Sequence, residues 1–127
     1  MNEFAPSHLT VNLSAYAHNL TFIRQRIPTT TRIMVILKAD AYGLGAAPLA
    51  ARALEEGISD FGVATVAEGI ALRETVGDAT ILVLTQPPEE TLSAALEHDL
   101  HLLISDVSIG ERLGELAHKT KTLATIH

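Results

Sequence analysis

The feature that most constrains the fold is a recurrence of short apolar runs. They begin near Ile33, Phe61, Thr80, His101 and Thr122, and a helical pattern fills each gap between them. Strands that alternate with short helices pair in parallel, because each helix carries the chain back to the edge where the last strand began. Parallel strands are covered on both faces, which suits an unbroken apolar run such as Ile33 to Leu37. The short strands and their regular spacing favour a barrel over an open doubly wound sheet. The first loop also lacks the GxGxxG pattern of dinucleotide sites. A closed (β/α)8 barrel needs eight strands. About five are legible in the 127 residues. The expected fold is therefore α/β, a partial TIM-type (β/α)8 barrel of about five parallel strands with intervening helices. Residues 1–127 are expected to form the N-terminal part of that barrel domain, since the last run, Thr122 to His127, has no helix after it.

The helices are predicted from their caps and stripes. Ala46 to Glu56 carries Pro48 in its first turn and is stopped by Gly57. Val66 to Val76 opens on Thr65-x-x-Glu68, a capping box, with Val66, Ala67, Ile70 and Ala71 as its expected apolar face. Glu89 to His98 follows the Pro87-Pro88 breaker and aligns Leu92, Ala95 and Leu96. Asp106 to His118 follows Ser105 and aligns Ile109, Leu113, Leu116 and Ala117. Upstream, His8 to Leu13 alternates polar and apolar residues, the pattern of a half-buried strand. Ser14 is expected to cap a helix whose stripe is Tyr16, Leu20, Ile23 and Ile27, ended by Pro28.

Charge and composition narrow the function. The formal net charge is -6 and no basic stripe is present, which disfavours nucleic-acid binding and a polybasic membrane-surface segment. No apolar stretch approaches the ~20 residues of a membrane span. The start MNEFAPSHL has neither the basic lead nor the apolar stretch of a signal peptide. A soluble, cytoplasmic protein is the expectation. Cysteine is absent, so disulfides and thiolate ligands are excluded. His98 and His101 straddle a predicted helix-to-strand junction with no carboxylate set beside them, so no metal site is expected and both are read as solvated. Glu55, Glu56, Glu68, Glu74, Glu89 and Glu90 sit mostly near helix ends and read as a solvated face. Arg73 reads as a helix-surface or salt-bridge residue.

Chemistry concentrates where the first apolar run ends, at Lys38, followed by the small-residue loop ADAYGLG. Barrel enzymes keep their reactive groups at the C-terminal ends of strands. A lysine that loses part of its hydration there is freed to form a Schiff base; the alternative is a solvated strand-end lysine. Tyr42, four residues on, either packs its ring on the loop or reaches a ligand. Gly43 and Gly45 either admit a ligand close to the backbone or serve the turn alone. Asp40 either orients the loop through side-chain-to-backbone bonds or is solvated.

KADAYGLG is similar to the lysine motif of alanine racemases, most often KANAYGHG or KADAYGHG; Leu44 stands where that family usually has His. Asn19-Leu20, the block EEGISDFGVATVAEGIALRE (Glu55 to Glu74) and LISD (Leu103 to Asp106) resemble the same family, so the likeness runs from about Leu9 to His127. The resemblance implies pyridoxal 5′-phosphate as cofactor and Lys38 as its Schiff-base lysine and as the base on one face of the substrate carbon. It implies that the Tyr42 hydroxyl contacts the cofactor phosphate. It further implies a homodimer that interconverts L- and D-alanine for peptidoglycan synthesis, with a tyrosine of the partner's C-terminal half serving the opposite face. A segment like KVDTGMxRxG would follow His127, and residues 1–127 alone are expected to show little or no racemase activity. Two other classes stay open: a non-catalytic PLP-binding barrel module and an inactive remnant.

Overall fold

The computed structural model describes residues 7–127. The leading MNEFAP of the stretch read against a signal peptide lies outside them. In chain order the elements are α1 (Leu13–Arg24), β1 (Met34–Ile36), a short helical turn α2 (Lys38–Gly43), α3 (Ala46–Glu55), β2 (Asp60–Val63), α4 (Val66–Val76) and β3 (Thr80–Val83). A 3-10 turn (Glu89–Thr91) then leads into α5 (Leu92–Glu97), β4 (His101–Leu102) and α6 (Val107–Thr120). The four strands form one sheet in the order β1-β2-β3-β4, and every pair is parallel. Met34 pairs with Asp60 and Asp60 with Thr80, while Leu82 pairs with His101. The fifth run arrives as a single parallel bridge, Leu102 to Ile126. The Leu102 N–H donates to the Thr125 carbonyl at 3.0 Å and the His127 N–H to the Leu102 carbonyl at 2.9 Å. Each strand lies beside its chain predecessor. That is barrel order; a doubly wound sheet reverses at a switch point.

The core lies between the sheet and the helices. Phe61, Val63, Ile81 and Val83 are buried against Leu49, Ala53, Leu72, Leu92 and Leu113. Each such aliphatic or aromatic side chain contributes roughly 1.5–3 kcal/mol. The other sheet face carries Met34, Ile36 and Leu84, all within 3.5 Å of where a Cβ on Gly62 would stand. Ile36 is 37% exposed there.

Several local expectations change. His8 to Leu13 is not a strand: residues 7–12 have no regular structure and Leu13 already opens α1. Alternation makes a strand only where a neighbour offers a ladder, and among the described residues none runs beside this segment. The cap is Asn12, whose side-chain oxygen accepts the Ala15 N–H at 3.0 Å, while Ser14 lies inside the helix. Ala17 and Leu20 form the buried stripe of α1, Ile23 is 45% exposed, and the helix stops at Arg24, before Ile27.

The buried face of α4 is Val66, Gly69, Leu72 and Val76; Ala67 and Ala71 are exposed. A Cβ on Gly69 would stand 2.9 Å from Leu100 Cδ1, so the bare backbone of that glycine is what the helix presses closest to its neighbours. The expected helix from Glu89 to His98 is divided. The Pro88 carbonyl accepts both the Thr91 N–H (3.0 Å) and the Thr91 hydroxyl (2.7 Å), which tightens the first turn to 3-10 geometry. Asp106 is the cap of α6 rather than its first residue; its Oδ1 accepts the Ser108 N–H at 2.8 Å.

Arg73 makes no salt bridge among the described residues. Its guanidinium donates to the carbonyls of Gly77 (2.6 Å), Ala79, His98 (3.0 Å) and Asp99 (2.7 Å), which ties the end of α4 to the starts of β3 and β4. The glutamates are also more engaged than a solvated face: Glu55 and Glu56 pair with Arg52, and Glu89 pairs with Arg112.

Candidate active site

Because the strands are parallel, their C-terminal ends share one rim. The ladder of β1 continues through buried Leu37, whose N–H donates to the Gly62 carbonyl at 2.7 Å. The chain then turns. Ala39, Asp40, Ala41 and Tyr42 have φ of 52°, 51°, 54° and 58°, so α2 contains one turn of left-handed helix whose four residues include no glycine. Such a conformation costs an L-residue roughly 1–2 kcal/mol, so four in succession require support from the surrounding fold. Support comes from several sides. Ala41 is buried in the core. Asp40 Oδ1 accepts the Ala46 N–H at 2.7 Å, and the Asp40 carbonyl accepts the Gly45 N–H at 3.0 Å. Gly43 and Gly45, at φ of 83° and 92°, carry the exit of the turn where a side chain would be strained. Asp40 thus orients the loop, the first of its two sequence readings.

A residue from the next loop completes the support. Glu68 Oε1 accepts the Ala39 N–H at 2.8 Å, while its Oε2 accepts those of Ala64 (2.7 Å) and Thr65 (3.2 Å). The capping box made the Thr65 half of this visible in the sequence. The bond to Ala39 spans 29 positions and has no local signal. The rim continues in the same manner. The Thr85 hydroxyl donates to the Ala64 carbonyl at 2.6 Å. Gln86 Oε1 accepts the N–H groups of Ser105 (2.6 Å) and Asp106 (3.2 Å). Side chains therefore link neighbouring loops across the ends of all four strands.

Lys38 is the first residue of α2 and is exposed, with no salt bridge among the described residues. The partial loss of hydration considered for it is absent here, in keeping with the uncovered sheet face at Ile36. Tyr42 lies on the same turn, 64% exposed, so its ring is not packed down on the loop. It borders an open cleft of about 420 Å³ between α1, β1 and α2, together with Asn12, Tyr16, Ile36 and Leu44. Lys38 does not line that cleft. Burial pushes the Tyr16 phenol up from its ordinary pKa, and the Tyr16 hydroxyl has no hydrogen-bond partner among the described residues.

The histidines lie elsewhere. His98 Nδ1 is 2.9 Å from the Ala94 carbonyl oxygen. His101, expected to be solvated, is half-buried in β4 and stacks on His127 with ring centroids 5.5 Å apart. Burial first, and then the nearby His127, lower its pKa. This pair shares the strand-start end of the sheet with Arg32, Asp60 and Thr80, at the far end from Lys38. Among the described residues no group of three His, Cys, Asp or Glu side chains could hold a metal ion.

The sequence pattern of the family described as "Alanine racemase, N-terminal domain" matches residues 11–127. The chain belongs to that family. It is 32% identical over 126 residues to alanine racemase 2 of Caldanaerobacter subterraneus subsp. tengcongensis, covering 99% of this chain and 32% of that protein. Its fold is similar to the crystal structure of alanine racemase from E. faecalis, with a TM-score of 0.90, 28% identity, and coverage of 99% of this chain and 34% of that one. Histidine racemase from Leuconostoc mesenteroides subsp. sake is also similar, with a TM-score of 0.82, 26% identity, and coverage of 98% and 34%. The chain spans about a third of the length of the curated relatives it matches. The sheet and its helices correspond to the N-terminal strands of the alanine racemase TIM-type barrel. No helix among the described residues is long and apolar enough to cross a membrane.

Proposed function

We propose that the chain supplies the Schiff-base lysine of a PLP-dependent alanine racemase, with Lys38 holding the cofactor and Tyr42 contacting its phosphate. The observation that carries this reading is the left-handed turn. It sets an exposed primary amine, without a salt bridge among the described residues, at the C-terminal rim of a parallel sheet, and it keeps a phenol on the same turn. The donor set fits the group. Lys38 offers the amine, Tyr42 a hydroxyl, and a Cβ at Gly43 would meet no atom of the described residues within 4 Å, which leaves room for an anionic ligand to approach the backbone there. When bound, pyridoxal phosphate supplies an aldehyde that condenses with an amine and a ring that accepts the electron pair left when an amino acid loses its α-proton.

The work of the chain itself is to hold and to move a proton. Lys38 Nζ would hold the cofactor, and as a free amine it would serve as the base at one face of the substrate Cα. Inversion requires a donor on the opposite face, and in this reading it comes from outside the 127 residues, across a homodimer interface. Alanine is the substrate favoured by the relatives' names, and the product would serve peptidoglycan synthesis in the cytoplasm. The fold alone does not select alanine, since a histidine racemase shares it.

The test is direct. The chain is incubated with pyridoxal 5′-phosphate, reduced with borohydride, digested and mapped. The adduct is expected on Lys38 and lost in K38A. Labelling confined to Lys119 or Lys121 would overturn the assignment.

A further inference from the structure

Glu68 stands in a position that neither the capping box nor the cofactor chemistry accounts for. A carboxylate offers two oxygens with about four acceptor sites. Three are filled by backbone N–H groups, from Ala64, Thr65 and Ala39. The first two belong to its own loop. The third lies in the loop after β1, and it is the amide directly following Lys38. A peptide unit is planar, so a bond at 2.8 Å to the Ala39 N–H holds the Lys38–Ala39 plane. That plane fixes ψ of Lys38 and φ of Ala39, the dihedrals through which β1 enters the left-handed turn.

The holding group is itself held. Glu68 sits in the first turn of an 11-residue helix, where the helix dipole favours its negative charge. Its neighbour Ala64 is tied to the β3 loop through the Thr85 hydroxyl. The turn, in contrast, holds four L-residues in the left-handed region, which each occupies at a cost relative to the right-handed one.

We infer that Glu68 is a positioning residue: its carboxylate clamps the Ala39 amide, keeps α2 left-handed, and so sets the direction in which the Lys38 amine leaves the rim. The inference deepens the function proposed above and, for the role of the amine, rests on it.

Two substitutions separate positioning from stability. E68Q leaves a single carbonyl oxygen and adds an NH2 donor, so Gln cannot accept from both Ala39 and the Ala64–Thr65 pair. T65A removes the hydroxyl that accepts the Glu68 N–H at 3.2 Å, which weakens the same helix end without touching Ala39. Thermal unfolding of both variants gives the common structural cost. Hydrogen exchange at the Ala39 amide, followed by NMR, reads the clamp. Loss of a charge-assisted bond is expected to speed it about tenfold or more in E68Q and to leave T65A near wild type. Borohydride trapping of pyridoxal 5′-phosphate reads the amine. Labelling of Lys38 relative to Lys119 and Lys121 is expected to fall several-fold in E68Q only.

Unchanged Ala39 exchange in E68Q, or an equal rise in T65A, overturns the clamp. Faster exchange with undiminished Lys38 labelling overturns the positioning role. If wild-type protein labels only at Lys119 or Lys121, the assignment of Lys38 fails. The exchange comparison then still decides whether Glu68 holds the turn.

Discussion

Two charged residues on α4 satisfy backbone groups at opposite ends of the sheet. Glu68, in its first turn, accepts N–H groups at the rim that bears Lys38; Arg73, in its last turn, donates to four carbonyls at the other end. Acid at the start and base at the end also match the helix dipole. The Arg73 arrangement depends on the planar fork of a guanidinium, which an ammonium cannot reproduce. R73K is expected to lower the unfolding free energy by about 2 kcal/mol, because at least one of the part-buried carbonyls, of Ala79 or His98, loses a charged donor. Urea denaturation checks this, and a change within about 0.5 kcal/mol, the range of an ordinary surface substitution, would contradict the clamp.

Three helices of this fold begin where a side chain meets an orphaned amide. Asn12 opens α1, Thr65 opens α4 and Asp106 opens α6, each accepting an N–H of the first turn. Ser14 shows the limit of reading caps by residue type alone. It is a good capping residue, but Asn12, two positions earlier, takes the role. N12A is expected to cost about 1 kcal/mol, whereas S14A should be nearly neutral. Equal losses in the two variants on urea titration would place the cap wrongly. The short turn α2 follows the opposite rule, since its handedness runs against the preference of its residues and is imposed by bonds from outside it.

At the scale of the whole molecule, the two ends of the sheet differ in chemistry. The C-terminal rim carries Lys38 and the linked loops. The strand starts carry the Arg32–Asp60 ion pair and His101, which stacks on His127 of the last run. The second end responds to acid. Burial lowers the folded-state pKa of His101, and His127, Arg73 and Arg32 add to this while Asp99 opposes it. The unfolded chain then binds this proton more readily than the folded one, so stability is full above the ordinary value of 6.5 and falls as pH drops below it. Asp106, held below 3.8 mainly by the Ser108 hydroxyl and N–H, adds a further loss at lower pH as its carboxylate is protonated. Thermal unfolding from pH 7.5 to 5 is expected to show a declining midpoint that H101Q flattens; an equal slope in wild type and H101Q would exclude His101 as the source.

What the sequence determined by itself was everything carried by local pattern. The order of helices and parallel strands follows from apolar spacing, and the Thr65–Glu68 box from short-range bonding chemistry, whereas Asp40 has two readings in the sequence and its bond to the Ala46 N–H decides between them. The family motif around Lys38 was legible for the same reason, because its residues are contiguous. Tertiary structure decided what depends on a partner far along the chain. His8 to Leu13 alternates like a strand, but with no ladder beside it among the described residues it does not form one. Apolarity alone leaves the stripe of α4 ambiguous, since Ala67, Ile70 and Ala71 are apolar too; the face that turns inward is Val66, Gly69, Leu72 and Val76, with Gly69 set close to Leu100. Arg73 and Glu68 looked like surface charges, since a residue's own neighbourhood does not reveal backbone groups that lie more than 20 positions away and must be satisfied. The left-handed turn is the clearest case. Local propensity opposes it for Ala39, Asp40, Ala41 and Tyr42, and only buried packing and hydrogen bonds from other loops make it the lower-energy state.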